Sequence, residues 1–295
     1  MQLCASQRLA HCAAGVHLAE QAQLQADRNR AYYAKNRELH RSVVLRLTEQ
    51  IRNCILVHQQ PNARVARSGN LDPERVWRAP LLDDARVFRC VEEENQPSFT
   101  VDLLLDASAS RLHCQEVIAA QGSILAESLA ACGIPVRVSC FSSLRGYTVL
   151  RVLKGFQDKN LQNINQYFAS GWNRDGLALR AAGDLVDFAP GPAPRHLLIL
   201  LTDASPNDSR RVPPSPEQPL GCDYGGSYGV DDAAAEVRTL RRKGLRVSAV
   251  FMGEDSSSHD AERIYGKNLA RIRGMDQLAR AAGRLIQNEI RELGD

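Results

Sequence analysis

Val101-Asp-Leu-Leu-Leu-Asp106-Ala-Ser108-Ala-Ser110 is an apolar run of strand length that passes directly into a D-x-S-x-S run. Such a run reads as a buried strand. The alternate spacing after it places one carboxylate and two hydroxyls within a single turn, all of them oxygen donors of the type hard cations need. In open α/β sheets ligands collect outside the carboxyl ends of the strands, so polar groups that directly follow a buried strand are the first to consider.

The pattern recurs on either side of the next candidate elements. His196-Leu-Leu-Ile-Leu-Leu-Thr202-Asp203 is again a buried strand that delivers a carboxylate at its end, and Trp172-Asn173-Arg174-Asp175-Gly176 is a polar turn leading into a helix. Strands are expected over 101–106, 136–142, 147–153, 196–202, 245–252 and 269–273, and helices over 114–131, 175–188, 231–243 and 275–293. Strands alternating with helix-length segments are the signature of crossover units and a mainly parallel, doubly wound sheet. The turn around Arg145-Gly146 is too short for a parallel crossover, so the strands on either side of it should form an antiparallel edge hairpin.

Upstream, residues 19–57 lack Gly and Pro and place Val43, Val44, Leu47, Ile51 and Leu56 near helical spacing. Gln59-Gln60-Pro61 stops this helical region, and residues 64–89 mix turn signals such as Ser68-Gly69-Asn70 with short apolar pieces. The expected organisation is a helical N-terminal region over 1–60, a connector over 61–98 and an α/β domain over 99–295.

Taken singly, the acids also have plainer roles, the commoner one for Asp175 and an equally good one for Asp203. Asp175 reads by itself as the cap of a helix starting at Gly176, and Asp203 as a turn-former within Ala204-Ser-Pro-Asn-Asp208. Three carboxylates converging without a cation would repel one another and raise at least one pKa, a cost that a bound Mg²⁺ or similar ion removes. Asp106, Ser108, Ser110, Asp175 and Asp203 are therefore the expected metal site.

The same residues resemble the metal-ion-dependent adhesion site of von Willebrand factor A domains. The resemblance implies that the two serines contact the ion directly and that Asp106 and Asp203 act through water, with Asp175 at a position where a threonine is usual. A similar N-x-D-G turn occurs in a bacterial subgroup, the cobaltochelatase-subunit and nitric oxide reductase activation proteins. Gly69-Asn-Leu-Asp-Pro73, Val87-Phe-Arg89, Thr202-Asp-Ala-Ser-Pro-Asn-Asp208 and Tyr228-Gly-Val-Asp-Asp232 match that subgroup too. The similarity runs from about Arg67 to Leu293. It implies a divalent cofactor, Mg²⁺ first with Mn²⁺ or Ca²⁺ as alternatives, and a non-enzymatic docking role. It also implies a protein partnership with a MoxR-type or chelatase-type AAA ATPase that activates or metallates a target enzyme. Ala204 stands where the subgroup commonly has Gly, and Arg111 where Met is usual; both are expected to alter the rim. With Asp175 as a ligand, three carboxylates more than neutralise a divalent ion, so attraction for an acidic partner should weaken and the site should be structural or conformationally switched.

Composition excludes several classes. No apolar run approaches a membrane span, and the N-terminal apolar stretch is broken by Gln7 and Arg8, which argues against export and for a cytoplasmic setting. The eight cysteines are scattered without a C-x-x-C pair and read as reduced thiols. The glycine-rich Asp223-Tyr-Gly-Gly-Ser-Tyr-Gly229 lacks the lysine of a phosphate loop and is expected to follow no strand, so the chain should not hydrolyse ATP. Metal-assisted hydrolysis would need a base or nucleophile near the ion, for which His113 and Cys114 are the local candidates. A net charge of +3 implies no nucleic-acid partner for the whole chain. The local excess between Asp27 and Arg67, carried by Arg28, Arg30, Lys35, Arg37, Arg41, Arg46, Arg52, Arg64 and Arg67, is the rival nucleic-acid surface, with only Tyr32 and Tyr33 to stack on bases.

Overall fold

The computed structural model describes residues 13–58, 62–92, 99–186, 195–214 and 219–294. Two helices open it, α1 (Ala13–Lys35) and α2 (Arg37–His58), with a break at Asn36. The absence of Gly and Pro lets them run, and Val43, Val44, Leu47, Ile51 and Cys54 give α2 one buried apolar face. That face packs into the main core, so these helices form part of the wall of the α/β unit. Burying Leu47 and Ile51 completely stabilises the fold by roughly 1.5–3 kcal/mol each.

The stretch expected as a connector has structure of its own. Strands β1 (Asn62–Ala66), β2 (Asn70–Leu71) and β3 (Phe88–Glu92) form an antiparallel sheet in the order β1-β3-β2, with a short helix α3 (Arg78–Leu82) between β2 and β3. Strands of two to five residues carry too little alternation to stand out from a turn-rich sequence.

The remaining elements follow in order: β4 (Phe99–Asp106), α4 (Gln115–Ala131), β5 (Val136–Leu144), β6 (Tyr147–Lys154), α5 (Asp175–Val186), β7 (Arg195–Thr202), β8 (Asp208–Val212), β9 (Cys222–Tyr224), α6 (Gly226–Arg242), β10 (Arg246–Phe251), α7 (Ser258–Tyr265), β11 (Leu269–Arg271) and α8 (Met275–Gly294). The six-stranded sheet has the order β11-β10-β7-β4-β5-β6. Every neighbouring pair is parallel except β5 and β6, which form the expected edge hairpin.

Alternation along β4 divides the core. Val101, Leu103 and Leu105 join the cluster shared with α2, α4 and α8, while Leu104 joins Leu198, Leu200 and the helices α5, α6 and α7 on the other face. The chain leaves β4 towards β5 on one side and returns to β7 on the other, so the strand order reverses at β4. The crevice between the carboxyl ends of β4 and β7 is thus the topological switch point, where an open sheet leaves room for a ligand.

Two expectations need correction. The glycine-rich stretch 223–229 begins inside a strand, β9, and runs on into α6, which begins five residues before the expected 231. A three-residue strand paired to β8 across an irregular register gives no periodic signal. Helix α7 and the β8–β9 hairpin were also not anticipated. Among the described residues no helix is long and apolar enough to cross a membrane, and Cys54, Cys114, Cys132, Cys140 and Cys222 are free thiols. Cys4 and Cys12, with the N-terminal apolar stretch, lie outside the described residues.

Candidate metal centre

Three loops build the site at the switch point. The first follows β4: Asp106 is the last residue of the strand, Ser108 precedes a 3₁₀ turn over Ala109–Cys114, and Ser110 lies within that turn. The Asp106 Oδ1 accepts the Ser108 N–H at 2.9 Å, which curls the loop back over the strand end. The Tyr167 hydroxyl donates to the Asp106 carbonyl, and the Ala107 N–H donates to the Phe141 carbonyl at 2.9 Å, fixing the exit from β4.

The second loop lies alongside the first. Ser170 N–H donates to the Ala107 carbonyl (2.7 Å) and Ala109 N–H to the Gly171 carbonyl (2.9 Å). Trp172 pairs with Ser143 at the end of β5, and Asn173 pairs with Asn207 in the loop after β7. The turn at 172–174 is therefore held between two strand ends and delivers Asp175 as the first residue of α5. The Gly176 N–H, which a capping group would take, points instead to the Tyr224 hydroxyl at 3.4 Å, and that hydroxyl donates to Asp232 at 2.8 Å. A side chain at Gly176 would put a Cβ 2.1 Å from the Asp232 carboxylate, so close approach, and not an unusual φ, requires the glycine.

The third loop follows β7. Asp203 Oδ1 accepts the Ser205 N–H at 3.2 Å, the local turn expected of it, while Oδ2 accepts the Ser110 hydroxyl at 2.7 Å. Ser108 and Ser110 hydroxyls are 2.9 Å apart. The fold thus brings Ser108, Ser110 and Asp203 into one hydrogen-bonded chain across the crevice. Asp106 and Asp175 are both fully buried beside that chain. Asp175 Oδ1 accepts from the Asn173 amide at 3.2 Å. Asp106 Oδ2 and Asp175 Oδ2 are buried without any partner.

Unpartnered buried carboxylate oxygens are costly, and the electrostatics register the cost. Burial first, and then the charge of Asp203, push the Asp106 carboxyl up to about 7. Burial, followed by the charges of Asp106 and Asp203, holds the Asp175 carboxyl well above the usual carboxylate range. Among the described residues no group of three or more His, Cys, Asp or Glu side chains forms a metal cage alone. Any ion here depends on the serine hydroxyls as well as the acids. The oxygen-only donor set and the two orphaned oxygens fit a hard divalent cation.

Arg111 is not at the rim. It is 5% exposed, and its guanidinium forms an ion pair with the Asp203 carboxylate inside the crevice. Its type at the end of a D-x-S-x-S run was legible; its inward direction was not. Tyr224 and Asp232, which seat Gly176, were missed as site residues, although Asp232 ends one of the matching segments. Ala204 adopts φ 53° and is fully buried, which explains why glycine suits that position. The catalytic candidates are poorly placed: His113 is exposed, and burial raises the Cys114 thiol, whose Sγ donates to the Arg111 carbonyl. On α1 and α2 the basic residues Arg28, Arg30, Lys35, Arg37, Arg41, Arg46 and Arg52 are exposed; Arg30 pairs with Asp27 and Arg52 donates to the Ala131 carbonyl.

No family model matches the chain. Over 141 residues it is 33% identical to Protein NorD of Stutzerimonas stutzeri, a match covering 46% of this chain and 21% of that protein. It is 28% identical over 141 residues to Protein NorD of Brucella suis biovar 1 (strain 1330), covering 46% and 20%. The match thus spans about a fifth of the length of these curated relatives. Among solved structures, the pilus adhesin SpaC from Lactobacillus rhamnosus GG overlays with a TM-score of 0.48 at 16% identity, covering 68% of this chain and 30% of that one. The vWF domain of the type V pili tip protein Mfa5 from Porphyromonas gingivalis gives 0.46 at 12% identity, covering 66% and 96%. These overlays are loose, and the fold rests on the strand order and registers above. The chain is a mainly parallel, doubly wound α/β unit with one antiparallel edge hairpin; it is similar in fold to von Willebrand factor A domains, and its sequence resemblance runs to the NorD proteins.

Proposed function

We propose that Asp106, Ser108, Ser110, Asp175 and Asp203 hold a divalent cation, Mg²⁺ before Mn²⁺ or Ca²⁺, and that the chain is a metal-dependent docking module for a protein partner. The observation that carries this reading is the pair of orphaned, fully buried oxygens, Asp106 Oδ2 and Asp175 Oδ2, beside two hydroxyls already bonded to each other. When bound, the ion would supply an open coordination position able to accept a carboxylate from another protein. Ser108 and Ser110 would face the ion through their lone pairs, and Asp203 would orient Ser110 by accepting a hydrogen bond from its hydroxyl. Asn173 would hold Asp175 in place. The exposed His113 and the raised Cys114 thiol support a role without catalysis. The likeness to NorD supports a role in activating another enzyme beside a MoxR-type AAA ATPase, and the free thiols support a cytoplasmic setting.

The test is thermal unfolding of wild type and Asp106→Ala in EDTA and in each of the three ions, because a ligand that binds only the folded state raises Tm. A rise in wild type that is lost in the variant supports the site, and the ion giving the largest rise identifies its preference. No shift with any ion, at concentrations up to about 10 mM, defeats the metal reading and leaves the three acids as loop-forming residues. A pull-down of the ATPase that depends on the same ion then tests the partner.

A further inference from the structure

We propose that Arg111 is an internal counter-ion that neutralises the site when no metal is bound and is expelled when a divalent cation enters, so that metal loading moves its guanidinium from the core to the rim. This rests on the metal reading above.

Arginine is almost never buried unless paired. Here it is buried, and the contacts of its guanidinium lie in or beside the crevice. Nη2 pairs with Asp203 Oδ2, Nε donates to Ser110 Oγ at 3.4 Å, and Nη1 donates to the Met252 carbonyl at 3.4 Å. The charge of Arg111 also acts against the rise of the Asp106 carboxyl, so a single cation serves two of the three acids. The groups it engages are those the ion would need. Its Nε–H occupies a lone pair of Ser110 Oγ, and its Nη2 shares Asp203 Oδ2 with the Ser110 hydroxyl.

A divalent ion drawn to these oxygens would meet N–H groups aimed at them and a like charge in a poorly solvated crevice, where such repulsion is strong. The guanidinium and the ion are therefore alternatives. Arg111 also has a way out. It sits in a six-residue 3₁₀ turn, a tight and poorly bonded form of helix, whose neighbours Ala109, Ser110, Leu112 and His113 are all exposed. Once outside, it would place a positive charge beside the ion. A docking carboxylate would then meet both, offsetting the attraction lost to the third acid.

The experiment is calorimetric titration of Mn²⁺ and Mg²⁺ into wild type, Arg111→Met, Arg111→Lys and Arg111→Met combined with Asp106→Ala, with Tm measured in EDTA for each. Arg111→Met should bind metal about tenfold or more tightly than wild type, show a lower Tm in EDTA, and recover that loss when metal is added. Arg111→Lys, which keeps the charge, should stay near wild type, and the double variant should bind nothing. If Arg111→Met folds only with metal present, the same conclusion follows. Equal or weaker metal binding by Arg111→Met, with wild-type binding intact, overturns the inference while leaving the metal site standing. Absence of binding in wild type and Arg111→Met alike overturns both.

Discussion

Asp102 and Asp106 lie four residues apart on the same face of β4, both buried, yet the fold treats them differently. Arg137, opposite Asp102 in the register of β5, reaches both of its oxygens, at 2.5 and 3.0 Å, and also donates to the Leu185 carbonyl while its guanidinium lies over Phe156. Asp106 faces Phe141 in the same register, spends one oxygen on the Ser108 N–H and leaves the other bare. A buried carboxylate that its own chain completes is structural. One left incomplete, at a crevice where two loops add hydroxyls, is where an outside cation belongs.

The sharpest way to break this comparison is to remove a partner of each acid in turn. Arg137→Ala strands the Asp102 charge in the core and should cost about 3–5 kcal/mol of stability, equally with and without metal. Chemical denaturation in EDTA and in Mg²⁺ measures it; a loss that metal restores would mean that Asp102 belongs to the site. The next effect is the metal increment itself. At an ion concentration roughly 100 times Kd, wild type should gain about 2.7 kcal/mol over its own stability in EDTA, and Asp106→Ala should gain nothing.

Protons sharpen the comparison further. Asp106 titrates near 7 in the folded metal-free protein, above its unfolded value, so the folded state holds the extra proton between those limits. Its contribution to stability is fully present below the ordinary carboxylate range and is lost as pH rises through about 7. In EDTA, the Tm of Asp106→Asn minus that of wild type should therefore widen from about pH 5 to about pH 8. A constant gap would show that Asp106 is not the group that burial has perturbed. Metal should close the widening by favouring the ionised form in wild type alone.

The smallest effect concerns the loop after β7. Ala204 in the left-handed region is strained by about 1 kcal/mol, but its buried methyl contributes about 0.8 kcal/mol and alanine restricts the unfolded chain. These terms nearly cancel, so Ala204→Gly should change stability by less than about 1 kcal/mol and leave metal affinity unchanged. A larger stabilisation by urea denaturation would mean that the loop carries more strain than its φ indicates.

Much of the sheet was legible because strand signals are local. An apolar run such as Leu197–Leu201 announces a strand without help from the rest of the chain, and the short turn at Arg145-Gly146 dictates an antiparallel neighbour. The acids at the strand ends were legible for the same reason. The small β1–β3 sheet and β9 were hidden, since so few residues carry no period.

The sequence by itself determined the alternation of strands and helices, the antiparallel edge, and which oxygens stand at the strand ends, since each follows from a pattern within about ten residues. Tertiary structure decided that β4 and β7 would be neighbours and so bring Ser110 within 2.7 Å of Asp203, 93 residues away. It also decided that α2 would bury its apolar face in the same core, and that Arg111 would turn inward to Asp203 and away from solvent. The reason is that a side chain's direction and its partner are set by packing and charge balance among segments far apart in the chain, and no local pattern carries that information.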